Sequence, residues 1–224
     1  DFIPKLVPFR ENEQKTIANV VYAVWRAGVA DEVIVVSDGS TDHTALVAGR
    51  AGARVIKLPH NIGKGGAMAI GAHATNAEIL LFLDADLRGL RVEHVRALLA
   101  PVQKGNADMT IGVTDRWRAM YKLNDTLHGN VPLVQLTGQR ALLRSVFEDI
   151  PEELRKGFQI EEVLNYHCKV KGLRVATVDL HGVYGLQKTA KYNFFQGFFS
   201  SVYMVGQIIK IFFKVRFLHL VGKF

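Results

Sequence analysis

The chain has one cysteine, Cys168, in 224 residues, which excludes an internal disulfide and any cysteine-built zinc cage. The opening residues Asp1-Phe2-Ile3-Pro4-Lys5 lack the apolar core of a signal peptide. No initiator Met stands before them. The uncharged run Phe194–Ile209 is 16 residues, short of the roughly 20 that a spanning helix needs. There is no internal repeat and no Gly-x-x-x-x-Gly-Lys-Ser/Thr loop. Gly-x-Gly-x-x-Gly after a first strand is also missing, which disfavours a dinucleotide fold. Acidic residues are absent from Gly185 onward, where Lys188, Lys191, Lys210, Lys214, Arg216 and Lys223 carry most of the net charge of +7. The remainder is near neutral, which argues against a nucleic-acid groove. The basic end points to an acidic partner, anionic lipid first.

What is present describes a globular chain with room for a substantial core: 49% hydrophobic and 22% charged residues. Apolar strand patterns at Leu6-Val7-Pro8, Glu32–Val36, Ala53–Leu58, Glu78–Leu83, Ala107–Val113 and Arg174–Val178 alternate with helical periodicity at Glu13–Arg26, Ser40 or Thr41 to Ala51, Gly63–Ala74, Val92–Val102 and Ile160–Val170. This rhythm predicts an α/β fold with a largely parallel, twisted sheet covered on both faces. Thr137-Gly138-Gln139-Arg140-Ala141 is expected to start a short helix. Asp115–Pro132, polar and aromatic by turns, is a candidate substrate-facing segment.

The chemistry gathers around Ile79-Leu80-Leu81-Phe82-Leu83-Asp84-Ala85-Asp86. Acids at the carboxyl end of a buried strand fall where open α/β sheets place their ligands. If the strand continues, Asp84 and Asp86 point to one side, where Mg²⁺ or Mn²⁺ takes carboxylate and phosphate oxygens. The turn Asp38-Gly39-Ser40-Thr41-Asp42 offers a carboxylate to a base N–H. Gly63-Lys64-Gly65-Gly66 combines a close-approach backbone, a helix N-terminus and an ammonium, a set suited to phosphate.

In order, Pro8…Asn12-Glu13, Val35-Val36-Ser37-Asp38-Gly39-Ser40-Thr41-Asp42, Asn61-Ile62-Gly63-Lys64-Gly65-Gly66-Ala67 and Leu83-Asp84-Ala85-Asp86-Leu87 resemble the family 2 glycosyltransferases. The similarity is greatest to the dolichyl-phosphate-mannose synthase-like and glucosyl-3-phosphoglycerate-synthase-like members, over about residues 5–190. The resemblance implies a GT-A fold, Rossmann-like, with a nucleotide-sugar half (1–114) and an acceptor half (115–191). It implies that Pro8, Glu13 and Asp38 surround the nucleoside and that Lys64 lies near the base or phosphates. Asp84, with Ala85 beside it, would face the ribose or sugar, and Asp86 would hold the diphosphate metal. Thr137, Gly138 and Gln139 would flank donor sugar and acceptor. Glu161, in Gly157-Phe158-Gln159-Ile160-Glu161, would be the acceptor-side carboxylate, with Glu162 competing.

Three departures stand out. The turn after Pro8 is one residue longer than the family's, so Glu11 and Glu13 compete for the nucleoside role. Ser37 stands where an Asp is common. Gly185 stands where many relatives carry a His that touches the metal, and His181 is out of register. Residues 192–224 place Gln196, Ser200, Tyr203, Gln207, Lys210 and Lys214 on one polar stripe, as in a basic amphipathic helix at a membrane interface. Packing on the core or in a homodimer is the other use of that helix. The resulting expectation is a metal-dependent transferase at the cytoplasmic face of a membrane. It would move a sugar from a nucleotide-sugar, a UDP-sugar first, to a polyprenyl phosphate. The alternatives are a soluble transferase to a small phosphorylated acceptor such as 3-phosphoglycerate, and a non-catalytic nucleotide-sugar-binding or scaffold module.

Overall fold

In Val33–Asp38 (β2) every residue is buried, with Val33 and Val35 in one hydrophobic core and Ile34 and Val36 in a second. Ile79–Phe82 (β4) divides likewise, Leu81 into the first core and Leu80 and Phe82 into the second. Successive strand residues point to opposite faces, so a strand apolar throughout has to be covered on both. Each such buried side chain contributes ~1.5–3 kcal/mol of hydrophobic stabilisation, enough to hold the strand ends, and the loops that leave them, in place.

A computed structural model describes residues 5–8, 13–115, 137–155 and 160–185. The remaining strands are β1 (Lys5–Pro8), β3 (Arg54–Leu58), β5 (Leu87–Arg88), β6 (Met109–Thr114), β7 (Arg140–Leu143), β8 (Val175–Leu180) and β9 (Tyr184–Gly185). The main sheet runs β3-β2-β1-β4-β7-β6-β8, and β5 pairs with β9 in a small second sheet. Helices α1 (Ile17–Arg26), α2 (Thr44–Arg50) and α4 (Val92–Gln103) contribute to the first core. Helices α3 (Lys64–His73), α5 (Arg144–Glu148), α6 (Glu152–Arg155) and α7 (Ile160–Val170) contribute to the second. Parallel β1 lies between β2 and β4, with Lys5 opposite Val33 on one side and Leu81 on the other. Strand order therefore reverses between β1 and β4, the switch point outside which α/β sheets open a ligand crevice.

The parallel, two-faced sheet and most elements agree with the sequence pattern, and three details differ. The segment expected to start a helix at Thr137 instead enters β7, antiparallel to both β4 and β6. Arg, Ala and Leu favour helices when isolated, but here their backbone groups close the gap between two strands. β4 ends at Phe82, so Asp84 and Asp86 sit in a turn and the period-two argument for their convergence fails. Neither Ser40 nor Thr41 caps α2; the Asp42 carboxylate accepts from the Thr44 backbone N–H at 3.0 Å. Glu11, most of the 115–132 segment, Gly157-Phe158-Gln159 and the tail from Tyr192 lie outside the described residues. Among the described residues, no helix is long and apolar enough to cross a membrane.

Candidate active site

Residues after the carboxyl ends of β2 and β4, with Glu13 ahead of α1, build one side of the site. Gly39, at φ 76°, makes the turn after β2, and a Cβ there would lie 2.9 Å from the Asn61 backbone nitrogen. That close approach lets buried Asp38 accept from the backbone N–H groups of Ile62 (2.7 Å) and Gly63 (3.0 Å). Asp38 thereby ties the end of β2 to the loop that opens α3. Glu13 follows β1, and its backbone N–H donates to Thr44 Oγ1 at 3.0 Å, joining the β1 and β2 loops. Pro8 closes β1 opposite Val36.

The centre is ionic. Lys64, first residue of α3, places Nζ 2.6 Å from Asp84 Oδ1 and 2.6 Å from Glu161 Oε1. Its side chain is 9% exposed and that of Glu161 10%. Burial pulls the ammonium down, and the charges and hydrogen bonds of Asp84 and Glu161 more than reverse this, so its pKa lies above the ordinary lysine value. Gln139 Nε2 donates to the other Asp84 oxygen at 2.9 Å. Thr137 Oγ1 donates to the Gly112 carbonyl at 2.6 Å, anchoring this loop to β6. A Cβ on Gly138 would collide with Lys64 Nζ and stand 2.5–2.6 Å from the Asp84 carboxylate oxygens, so any larger residue there would have to displace the ion pair. Asp84, at the end of β4, and Glu161, in the first turn of α7, are thus joined through one cation although 77 positions separate them.

The half-buried carboxylate of Asp86 lies beside β9, where a Cβ on Gly185 would be 3.3 Å from Oδ2. Among the described residues, no group of three or more His, Cys, Asp or Glu side chains is arranged to hold a metal. A single carboxylate nevertheless fits Mg²⁺ or Mn²⁺, which commonly take one or two carboxylates and complete their shell with phosphate and water oxygens. Ala85 is 3% exposed and belongs to the first core; it seats the turn that carries the two acids.

The model for glycosyl transferase family 2 matches residues 7–177. The chain belongs to this family. Glucosyl-3-phosphoglycerate synthase of Mycolicibacterium smegmatis is 35% identical over 100 residues, covering 41% of this chain and 33% of that protein. The 4,4'-diaponeurosporenoate glycosyltransferase of Staphylococcus aureus is 35% identical over 103 residues, covering 44% of this chain and 27% of that protein. These matches span about a third or less of either relative. Among solved structures, glucosyl-3-phosphoglycerate synthase of Mycobacterium tuberculosis with Mn²⁺, UDP and glucosyl-3-phosphoglycerate superposes with a TM-score of 0.71. It is 26% identical, over 84% of this chain and 72% of that one. Another structure of that enzyme holds Mg²⁺ and UDP. The α/β fold is therefore GT-A-like.

Within this family 2 member, the structure gathers Lys64, Asp84, Gly138, Gln139 and Glu161 into one cluster and sets Asp86 beside Gly185. Between the two competing acids on α7, it is Glu161 that turns inward to Lys64. Sequence reasoning passed over Arg140, which is fully buried with Nε 3.0 Å from the Thr137 carbonyl and a terminal nitrogen 2.6 Å from Asn165 Oδ1. The only signal available in the sequence was a charged residue directly before an apolar run. Burial pushes the Cys168 thiol up to about 11.

Proposed function

We propose that this chain is a divalent-metal-dependent glycosyltransferase that moves a hexose from a UDP-sugar to a phosphorylated acceptor. The observation that carries the reading is the meeting of Asp84, Lys64 and Glu161, with Asp86 close by in sequence, outside the β1/β4 switch point. The four relevant segments come from both halves of the sheet, as a two-substrate site requires. Residues 1–114 form the donor half and 115–191 the acceptor half. Residues 192–224 form the basic amphipathic tail that brings the enzyme to an anionic membrane or packs a second copy.

On the donor side, Asp86 holds Mg²⁺ or Mn²⁺, and Pro8, Glu13 and Asp38 border the nucleoside. When bound, the metal supplies Lewis-acid neutralisation of the departing diphosphate. Asp84 and Gln139 orient the sugar, and Lys64 bridges the two flanking carboxylates. On the acceptor side, Glu161 accepts the proton of an attacking hydroxyl within hydrogen-bond reach, or orients a phosphate nucleophile that needs no base. The phosphoglycerate-bound relatives favour a small acceptor; the basic tail favours a lipid-borne one.

The test is UDP release from UDP-glucose with Mn²⁺, in three arms: no acceptor, 3-phosphoglycerate, and a polyprenyl phosphate in anionic vesicles. Acceptor-stimulated release with a glycosylated product supports transfer, and the responding arm names the acceptor class. Nucleotide-sugar binding with no transfer or hydrolysis in any arm would instead establish a non-catalytic binding module.

A further inference from the structure

Arg140 is the largest fully buried side chain among the described residues, at 0% exposure. It opens β7 in the middle of the sheet, opposite Phe82 of β4 and Ile111 of β6. An apolar residue would serve that position at no electrostatic cost, because an ionised side chain in the interior must recover its lost hydration from partners. Burial lowers the guanidinium to about 10, with Glu161 the foremost of the nearby groups that oppose the shift. It is therefore still charged at neutral pH.

Its contacts join the two halves of the site. Nε donates to the Thr137 carbonyl at 3.0 Å, within the loop whose Gln139 holds Asp84. A terminal nitrogen donates at 2.6 Å to Oδ1 of Asn165, one helical turn after Glu161 on α7, and lies 3.6 Å from Met109 Sδ on β6. Side chains four apart lie on one helix face, so fixing Asn165 fixes the face that presents Glu161 to Lys64.

We infer that Arg140 is a positioning residue that sets the spacing between the donor-side carboxylate Asp84 and the acceptor-side carboxylate Glu161, through Gln139 on one side and Asn165 on the other. The inference rests on the proposed roles of those two carboxylates. Two variants test it, Arg140→Met, which keeps volume without charge or fork, and Asn165→Ala, which removes the α7 anchor and leaves the core intact. Misplacement of about 1 Å costs on the order of 100-fold in rate. The expected result for both is a fall in transfer kcat of that order, with a raised acceptor KM. In Asn165→Ala the Kd for UDP-sugar with Mn²⁺ should stay within about twofold of wild type, because the Gln139–Asp84 contact and Asp86 are untouched. Arg140→Lys restores charge but not the fork and should recover only part of the rate.

If Arg140→Met does not fold, Asn165→Ala decides alone by the same split. Wild-type kcat in Asn165→Ala, or a loss falling equally on donor affinity and turnover, overturns the inference. A crystal structure of the folded variant gives a readout independent of turnover: Glu161 should leave the 2.6 Å contact with Lys64, and its retention overturns the inference. Absence of transfer by the wild-type protein would count against the proposed function alone, since that distance can still be measured.

Discussion

From β1 to β4 the strands run parallel, and the acidic site residues follow their strands within a few positions: Glu13 after β1, Asp38 closing β2, Asp84 and Asp86 after β4. From β6 to β8 one strand is reversed, and the site residues come from the entry to β7 and from α7. The first region is a crevice produced by topology, because successive right-handed crossovers leave an opening wherever strand order reverses. The second is assembled by side chains. Its loop reaches the crevice through the Thr137 bond to Gly112, and its helix through Lys64 and Arg140. The first region is therefore held largely by backbone pairing, whereas the second depends on a few buried polar contacts. Removing one partner of such a buried pair costs far more than removing an exposed one.

Four experiments sharpen or break this contrast. Asp86→Ala should reduce both acceptor-dependent transfer and acceptor-free donor hydrolysis by ~1,000-fold or more through lost diphosphate neutralisation, with melting temperature preserved. Undiminished turnover at saturating Mn²⁺ would remove Asp86 from the metal role. Glu161→Gln should act on one side only, lowering transfer to a hydroxyl acceptor by ~100- to 10,000-fold while donor binding persists. Equal loss of donor affinity would show that the two sides are not separable. Gly138→Ala forces a methyl group against Lys64 and Asp84, and a shift of that size should cost roughly 100-fold in turnover. Kinetics indistinguishable from wild type would mean that the loop yields freely.

The smallest effect concerns pH. Burial lowers the pKa of His94 on α4, with Arg91 adding to the shift, and burial likewise lowers His167 on α7, with Asp149 opposing and Lys171 adding. A depressed histidine favours the fold while neutral. Its contribution is complete above the ordinary value of 6.5 and is lost as pH falls through the lower folded value. The loss is read as a lower melting temperature at pH 5 than at pH 7.5. His94→Asn, which keeps an acceptor for the Arg91 N–H, should flatten part of that slope. An unchanged slope would assign the pH dependence to His167 or to carboxylates.

The parallel half was legible because its signals are local. Runs such as Val33-Ile34-Val35-Val36 require cover on both faces, Gly39 and Gly63 take φ values of 76° and 87°, and each acid stands next to the strand that places it. The second region was less legible. Arg140-Ala141-Leu142-Leu143 has the composition of a helix, and only the open edges of β4 and β6 make it a strand. Asp84-Ala85-Asp86 reads as one motif, yet its two acids have different surroundings, Asp84 against Lys64 and Gln139, Asp86 against Gly185. By itself the sequence determined the alternation of elements, the two-faced core and the order of the motifs that follow β1, β2 and β4, since these follow from local periodicity and turn chemistry. Only the tertiary structure decided that Lys64 lies between Asp84 and Glu161 and that Arg140 is buried behind them. Those contacts join residues 20 to 97 positions apart, brought together by sheet pairing and helix packing, to which no local pattern corresponds.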